Sequence, residues 1–278
     1  MRGRPIEEDP RYLSQAIQLA RQASTVVLDL LRKPITQSRK ADHSIVTEAD
    51  LRSDEIIRTG LANAFPDHAI LTEENGLSGN AESANVWLVD PLDGTKAYAK
   101  GIPGFSIMIG LLRNGSPHLG VVLDPLEGFL YYAIRGQGAY LESLGNTVRL
   151  YVSERENFET MPLVTSTGFP KEKLLQIVSK FHTPVCDPIN SVGIKVGMLV
   201  RQVGDIYLNH HSVHFWDTCA PQIILEEAGG LFTDIHGTPL TYSLQGSNSH
   251  AALTLASNGK QHGDLVSFLS EVFKESGH

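Results

Sequence analysis

The residues of this sequence that could do chemistry are mostly acidic, and two of them, Asp90 and Asp93, lie three positions apart in the run VWLVDPLDGT. Pro91 between them has a fixed φ and no N–H, so it stiffens the turn that carries both carboxylates. Gly94 permits a positive φ, and Thr95 adds a hydroxyl and a backbone N–H. Such a turn could bind a divalent cation and a phosphate. A β-turn with two solvated acids explains these residues equally well, because Asp, Pro and Gly are ordinary turn residues.

Other acids follow or begin apolar segments elsewhere in the chain. Carboxylates that cluster repel one another unless cations neutralise them. Ligand sets made only of oxygen favour Mg²⁺ or Mn²⁺ over Zn²⁺. Sequence spacing does not show whether these acids converge, so each could instead be a solvated surface acid or a helix N-cap. The acids are Asp50, Glu73, Glu74 and Asp217.

Two helices are predicted in the first quarter of the chain. Apolar residues recur at helical spacing over residues 10–31. A second helix is expected to start after Thr47, which has the character of an N-cap with Asp50 three positions later. This helix should continue to Ala64. The segment between the helices, residues 36–44, is predicted to be a loop.

Short apolar runs predict strands that end beside the acids. Residues 69–72 end directly before Glu73, and residues 86–89 end directly before Asp90. The polar residues 75–85 between them are predicted to be irregular. Four further runs separated by turn signals predict a series of antiparallel hairpins. These runs are residues 105–112, 118–123, 128–134 and 138–142.

Strands and helices alternate in the second half, which favours a mixed sheet covered by helices. We therefore expect an α/β (α+β) chain of two closely packed subdomains. Residues 1–155 would hold the first helices, the antiparallel sheet and most of the acids, and residues 156–278 would form a mixed α/β subdomain. The predicted helices are 171–180, 192–203, 215–228 and 263–274, and the predicted strands are 163–166, 204–207 and 254–257.

Charge and composition limit the class of partner. The net charge of −8 argues against a nucleic-acid polymer or an anionic membrane as partner, although it leaves room for an anionic small molecule. Two cysteines, Cys186 and Cys219, are too few for a disulfide scaffold and indicate buried thiols in a reducing compartment. The N-terminus lacks the apolar core of a signal peptide, and no apolar run is long enough to span a bilayer. We expect a cytoplasmic location.

Four motifs occur together in this sequence: KADHSIVTEAD at 40–50, ILTEEN at 70–75, WLVDPLDGTK at 87–96 and WDTCAPQIILEEAGG at 216–230. In this order and at these separations they resemble the inositol monophosphatase superfamily of metal-dependent, lithium-sensitive phosphomonoesterases. The resemblance covers most of the chain. It implies a layered αβαβα sandwich and a possible homodimer.

Within that superfamily, the lysine after DPLDGT and the run WDTCAPQIIL resemble the 3′(2′),5′-bisphosphate nucleotidase branch. This implies Mg²⁺-dependent hydrolysis of the 3′-phosphate of 3′-phosphoadenosine 5′-phosphate (PAP) to AMP and phosphate. The alternatives on the same scaffold are an inositol-1-phosphate, fructose-1,6-bisphosphate or histidinol-phosphate phosphatase. An alternative of another class is a metal-binding regulatory protein that has lost catalysis, although every acid that the motifs require is present.

The resemblance also implies a metal-ligand set. Glu73 and Asp90, with the backbone carbonyl of Leu92, would hold one Mg²⁺. Asp90, Asp93 and Asp217 would hold a second, so Asp90 would bridge the two ions. Glu73 could reach a third ion through water, and Mn²⁺ could replace Mg²⁺.

The resemblance assigns the remaining roles. Asp50 and Thr95 would orient and deprotonate the attacking water, and the backbone amides of Gly94 and Thr95 would bind the scissile phosphate. Glu74 could support the ligands or face solvent. Lys195 could pair with the second phosphate of PAP or contact the base, or it could be a solvated helix lysine.

Three histidines, His210, His211 and His214, precede the last motif and invite a metal-site interpretation. Carboxylates nearby indicate a hard cation instead. A substrate contact or a loop role is therefore the favoured interpretation of these histidines.

Overall fold

A computed structural model describes residues 9–40 and 44–273 of the 278-residue chain. The helices are α1 (Asp9–Leu31), α2 (Glu48–Ala64), α3 (Thr95–Ala99), α4 (Lys171–Phe181), α5 (Val192–Val200), α6 (Phe215–Glu227) and α7 (His262–Val272). The first strands are β1 (Gln37–Arg39), β2 (Ile45–Thr47), β3 (Ala69–Thr72), β4 (Gly76–Gly79), β5 (Asn85–Asp93), β6 (Ser106–Arg113) and β7 (Ser116–Asp124). The others are β8 (Phe129–Ile134), β9 (Gly138–Ser143), β10 (Asn146–Leu150), β11 (Leu163–Val164), β12 (Ile206–Leu208), β13 (Leu231–Asp234) and β14 (Thr254–Ser257). Over these residues, no helix combines the length and the apolar character that crossing a membrane requires.

The central element is an eight-stranded sheet in the order β10-β9-β8-β7-β6-β5-β3-β4. Its neighbours pair antiparallel except β3 and β5, which run parallel with Thr72 opposite Val89. Parallel strands end at the same edge, so Glu73 and Asp90 emerge side by side. The pairing of β5 with β6 is irregular between Asp90 and Asp93, where Pro91 has no N–H to give to the ladder.

Both faces of this sheet are covered, which explains why its strands read as continuous apolar runs. Alternate residues of β6 point to opposite sides. Ile107 and Ile109 belong to the cluster under α1 and α2, and Met108 belongs to the cluster that includes residues of α6. α1 itself presents small residues, such as Ala16 and Ala20, which are fully buried.

The four-stranded sheet has the order β11-β12-β14-β13. Helices α4 and α7 pack on it through residues such as Phe181 and Leu265, and α5 and α6 lie between the two sheets. The layers are therefore helix, sheet, helix, sheet, helix. The predicted layered αβαβα sandwich is confirmed.

Two glycines bring α6 close to the large sheet. A Cβ at Gly110 would lie 2.7 Å from Cys219 Sγ, and a Cβ at Gly120 would lie 2.5 Å from the Ala220 carbonyl oxygen. Neither strand could carry a side chain there without displacing the helix. The close approach holds the first turn of α6, and with it Asp217, against the strand ends.

Several sequence predictions of local structure were wrong. Residues 36–44 contain the strand β1 rather than only a loop, β2 follows directly at Ile45–Thr47, and the polar residues 75–85 contain β4. These strands are three or four residues long, and β4 begins and ends with glycine, so periodicity could not reveal them. The strands β10 and β13 and the five-residue helix α3 were also missed.

The subdomain boundary near residue 155 stays a prediction. A single apolar cluster contains Val122 from the first part and Val196, Ile223 and Ala256 from the second. Residues 1–8, 41–43 and 274–278 of the two predicted subdomains lie outside the described residues, as do the middle of the first motif and the predicted helix end at Lys274.

Candidate active site

A cavity of about 540 Å³ opens at the edge where β3 and β5 end. Every residue that the sequence proposes as a metal ligand lines it, together with Gly94 and Thr95. Asp50, Glu74 and Lys195 do not line it but lie behind residues that do. The cavity thus brings together acids from three elements that are far apart in sequence: Glu73, Asp90, Asp93 and Asp217.

The turn after β5 is held by hydrogen bonds to its own carboxylates. Asp90 is 2% exposed, and its Oδ1 accepts from the Leu92 N–H at 3.0 Å. Asp93 Oδ2 accepts from Ser191 Oγ at 2.7 Å and from the Gly193 N–H at 3.1 Å. Asp93 therefore fixes the start of α5, from the second half of the chain, against the acidic turn.

Gly94 follows in a conformation that other residues adopt only with strain. Its φ is +94°, and a Cβ would lie 2.2 Å from the Gly104 carbonyl oxygen. This backbone turns Thr95 back toward the cavity at the start of α3. The glycine is required by geometry, which the sequence had suggested only as a possibility.

Thr95 and Asp50 form a direct pair, as the resemblance implied. Thr95 Oγ1 lies 2.8 Å from Asp50 Oδ1 and 3.1 Å from the Leu92 carbonyl oxygen. Asp50 Oδ2 accepts from the Thr47 N–H at 2.8 Å in the capping box of α2. Since the Thr95 hydroxyl donates its one hydrogen to these acceptors, its lone pair is available to a donor in the cavity.

Burial raises the pKa of the Asp50 carboxyl, and hydrogen bonds from Thr47 and Thr95 oppose that rise. The side chain is 1% exposed and is held from both sides. A carboxylate of this kind has an increased affinity for a proton and a fixed orientation. Both properties suit a general base that acts through Thr95.

The other acids of the cavity lie close enough to repel one another. Burial, and then repulsion from Glu73, Asp93 and Asp217, raises the pKa of Asp90 well above its ordinary value. Burial, followed by repulsion from Asp93 and Glu73, does the same for Asp217. Burial raises the pKa of Asp93 as well, against the hydrogen bond from Ser191. Such mutual repulsion is the electrostatic condition that a cation relieves.

Residues 9–40 and 44–273 contain no three acidic, histidine or cysteine side chains already arranged as a formed metal site. The carboxylates are held instead by protein donors. Glu73 Oε1 accepts from Lys40 Nζ at 2.9 Å, which places an ammonium beside an acid that is proposed to hold one Mg²⁺. The donor set and its uncompensated charge fit an oxygen-liganded divalent cation, provided that Glu73 exchanges Lys40 for it.

Glu74 does not face solvent. Its side chain is 3% exposed and accepts from Lys40 Nζ at 2.7 Å. Burial raises its pKa to about 7, and Lys40 opposes the rise. The interpretation of Glu74 as a supporting residue is therefore favoured, because it holds Lys40 next to Glu73.

Asp217 combines the two interpretations that the sequence offered. It occupies the third position of α6, where its Oδ2 accepts from the His214 N–H at 2.7 Å in a capping box, and it also lines the cavity. His214 stacks on Trp216 at a ring distance of 4.5 Å. His210 and His211 line the cavity.

Lys195 is not the solvated helix lysine that the sequence allowed. It is 1% exposed, and its Nζ donates to Ser166 Oγ at 2.5 Å and to the Asn190 carbonyl oxygen at 3.1 Å. The same Nζ lies 4.6 Å from the centre of the Tyr207 ring. Burial lowers its pKa to about 8, and Asp93 and Asp217 oppose the shift. Its role as a substrate ligand stays a prediction.

For residues 165–168 the sequence favoured a plain turn over a phosphate-binding role, and it gave Asn190 no role. Ser166, Thr167 and Asn190 line the cavity, with Lys195 behind Ser166. No spacing in the sequence links these residues to position 93. The one available signal was Ser191, whose Oγ accepts from the Ile194 N–H as an N-cap immediately before a predicted helix.

Metal-free protein should be less stable at about pH 8 than at about pH 5, just above the ordinary pKa of a carboxyl group. The raised pKa of Asp90 means that the folded state holds this proton more tightly than the unfolded state does. Its stabilising effect is complete below the ordinary pKa and is lost as the pH rises through the raised pKa. Thermal melts in EDTA would measure the change. Added Mg²⁺ should raise Tm more at the higher pH, because it binds the ionised carboxylates.

Asp90→Asn serves as the control for that experiment, since its amide does not ionise. The difference in Tm between wild type and this variant should change with pH in EDTA. If Tm depended on pH equally in both proteins, groups other than Asp90 would be responsible for the loss of stability at high pH.

Known proteins resemble this chain in sequence and in fold. The model of the Inositol monophosphatase family matches residues 9–270. The chain is similar to the 3′(2′),5′-bisphosphate nucleotidase CysQ of Aggregatibacter actinomycetemcomitans, with 31% identity over 83% of this chain and 87% of that protein. It is 34% identical to the histidinol-phosphatase of Chlorobaculum parvum, over 81% of this chain and 86% of the relative. Among solved structures, the IMPase of Thermotoga maritima superimposes with a TM-score of 0.82 at 26% identity, covering 96% of this chain and all (100%) of the other.

Proposed function

This chain belongs to the inositol monophosphatase family, and we propose that it is a Mg²⁺-dependent phosphomonoesterase that hydrolyses the 3′-phosphate of PAP to give AMP. The observation that carries the proposed chemistry is the hydrogen bond from Thr95 Oγ1 to Asp50 Oδ1 at 2.8 Å, at the wall of a cavity with four acids. A positioned hydroxyl–carboxylate pair beside uncompensated carboxylates is the equipment for metal-assisted hydrolysis.

Two Mg²⁺ ions, when bound, would cancel the charge of the phosphate dianion, lower the pKa of water and stabilise the leaving oxygen. The residues proposed to hold them are Glu73, Asp90, the carbonyl of Leu92, Asp93 and Asp217. All of these line one cavity, and all supply oxygen.

The remaining groups would act directly on the reactants. The N–H groups of Gly94 and Thr95 would donate to the phosphate oxygens. The Thr95 hydroxyl would accept a hydrogen bond from the attacking water. Asp50 would take up the proton that the Thr95 hydroxyl releases. Because both side chains are fixed by hydrogen bonds, they would need little reorganisation during the reaction.

The choice of PAP rests on sequence motifs and on the part of the cavity wall that contains Ser166. Lys195 supplies a buried positive charge behind Ser166. A substrate with a second phosphate could use a polarised hydroxyl at that place. Similarity alone does not decide, because the identity to the histidinol-phosphatase is as high as that to the nucleotidase.

A substrate panel with Mg²⁺ tests the proposal. We expect kcat/KM for PAP to exceed those for inositol-1-phosphate, fructose-1,6-bisphosphate and histidinol phosphate by about tenfold or more. Phosphate release is the measurement. A higher value for any of the other three would contradict the choice of PAP. Absence of Mg²⁺-dependent release from all four would favour a regulatory protein that has lost catalysis.

Four properties stay predictions that accompany this function. They are a cytoplasmic location, a homodimer, activity with Mn²⁺, and inhibition by lithium.

A further inference from the structure

A chain of hydrogen bonds follows one face of α6 from the protein surface to the first turn of the helix. Thr218, Gln222 and Glu226 lie four residues apart, so they share that face. Two buried side chains from the segment before β14, Tyr242 and His250, bond to the same face. None of these five side chains lines the cavity that contains the acids. The helix that carries Asp217 is therefore held by polar contacts outside the cavity.

The direction of the hydrogen bonds follows from the surface end of the chain. Glu226 pairs with Arg135 at 2.6 Å, and its other oxygen accepts from Gln222 Nε2 at 2.6 Å. The amide oxygen of Gln222 is therefore the atom that faces Tyr242, whose hydroxyl donates to it at 2.6 Å. The Tyr242 hydroxyl has then given away its one hydrogen.

The inner end of the chain continues in the same direction. The Tyr242 hydroxyl lies 3.0 Å from Thr218 Oγ1 and, having no second hydrogen, accepts from it. Thr218 has then used its own hydrogen, so His250 Nε2 donates to Thr218 Oγ1 across 2.8 Å. Burial, followed by repulsion from His214, lowers the pKa of His250 to about 4, so the ring is neutral and carries a single N–H. The imidazole is thus a fixed donor at the first turn of α6.

His250 also holds the loop before α6 through its backbone. Its N–H donates to the Val213 carbonyl oxygen at 2.9 Å, and its carbonyl oxygen accepts from Ser212 Oγ at 2.9 Å. The next residue of that loop, His214, donates its N–H to Asp217 at 2.7 Å. His250 therefore contacts both the loop whose amide caps Asp217 and the residue that follows Asp217 in the helix.

We propose that His250 is a positioning residue for Asp217, and that its imidazole N–H, through Thr218, fixes where the Asp217 carboxylate lies. This inference rests on the proposed function, in which Asp217 holds a Mg²⁺ ion. Groups that orient a metal ligand change metal affinity without touching the ion. The proposal gives a role to a side chain that lies outside every motif of the sequence and outside the lining of the cavity.

The test measures Mg²⁺ binding in the absence of substrate, by isothermal titration calorimetry. His250→Leu removes the donor, and we expect the Kd for Mg²⁺ to rise by about tenfold or more. His250→Gln keeps an N–H group at a similar distance from the backbone. This variant should therefore keep the Kd close to that of wild type.

The chain contains a matched pair to serve as control. His262 is 8% exposed, as His250 is 7% exposed, and its Nε2 lies 2.9 Å from Thr233 Oγ1. Neither His262 nor Thr233 lines the cavity. His262→Leu should lower Tm in EDTA about as much as His250→Leu does, because both remove a buried histidine from a threonine. It should leave the Kd for Mg²⁺ unchanged.

The outcomes separate this inference from the proposed function. If wild-type protein does not bind Mg²⁺, the proposed function fails and this inference fails with it. If wild type binds Mg²⁺ and His250→Leu has the same Kd as His262→Leu, His250 is only structural and the proposed function stands. A Kd for His250→Gln as high as that for His250→Leu would show that the N–H is not the cause.

A second pair of variants decides if His250→Leu does not fold, as circular dichroism would show. Thr218→Val removes the acceptor of the imidazole N–H at nearly constant shape, and Thr233→Val is its control. Thr218→Val should raise the Kd for Mg²⁺ by about tenfold or more, and Thr233→Val should leave it unchanged. Equal Kd values in these two variants would overturn the inference.

Discussion

Replacing Asp90 with Asn is expected to lower kcat/KM by about 10³-fold or more while leaving the protein folded. Asp90 is the proposed bridge between both metal sites, and an amide supplies neither the charge nor the second anionic oxygen. Its Oδ1 accepts a hydrogen bond from the Leu92 N–H, which an Asn Oδ1 can also accept, and its carboxyl shares a hydrogen bond with Asp217. The measurements are phosphate release from PAP and Tm in EDTA.

The chain contains a close structural match to serve as control. Asp124 is followed by Pro125 and Leu126, as Asp90 is by Pro91 and Leu92. Its Oδ1 also accepts from the leucine N–H at 3.0 Å. Asp124 is buried at the end of β7, burial raises its pKa, and it does not line the cavity. Asp124→Asn should therefore leave turnover within about twofold of wild type.

The Tm in EDTA further distinguishes a metal-binding role of Asp90 from a purely structural one. Asp90→Asn removes a buried charge that its neighbours repel, so Tm in EDTA at about pH 8 should be unchanged or higher. A loss of activity and Tm in parallel, equal to that of Asp124→Asn, would show that Asp90 is only a structural turn residue.

Thr95→Val should lower kcat by about 10²-fold or more and change KM for PAP and the Mg²⁺ requirement little. Valine has nearly the same shape but cannot donate to Asp50 or accept from water. Asp50→Asn should have an effect of similar size, because the two groups act as one unit. For the same reason the double variant should be no slower than the slower single variant.

Thr95→Ser is the matched control for this pair, because it keeps the hydroxyl and loses only a methyl group. It should retain activity to within about tenfold of wild type. If Thr95→Ser loses as much turnover as Thr95→Val, the methyl contact matters rather than the hydroxyl. Losses from Asp50→Asn and Thr95→Val that multiply in the double variant would show that the two residues act independently.

The acidic turn and the position of Asp50 could be predicted from the sequence, because each follows a local signal. Asp50 follows the N-cap Thr47 by three residues, and the apolar run of β5 leads directly to Asp90. A regular helix start and a buried strand are properties of short sequence windows. The motifs supplied the rest by resemblance.

The contacts that complete the site could not be anticipated, because they depend on how distant elements pack. Ser191 donates to Asp93 across 98 positions, and the Gly193 N–H does so across 100. Lys40 reaches Glu73 and Glu74 only because the β1–β2 hairpin, which the sequence did not reveal, brings it there. Burial of Lys195 likewise follows from the position of α5 between the two sheets.

The close approach of α6 to Gly110 and Gly120 has a consequence for inherited or selected variation. A methyl group at Gly110 would collide with Cys219 Sγ at 2.7 Å and the Ala220 backbone nitrogen at 3.0 Å. Relief of that collision would move the start of α6, and Asp217 with it, away from Asp93. A genetic screen for inactive alleles should therefore recover glycine-to-alanine changes at these two positions beside changes of the acids themselves, although neither glycine touches the cavity.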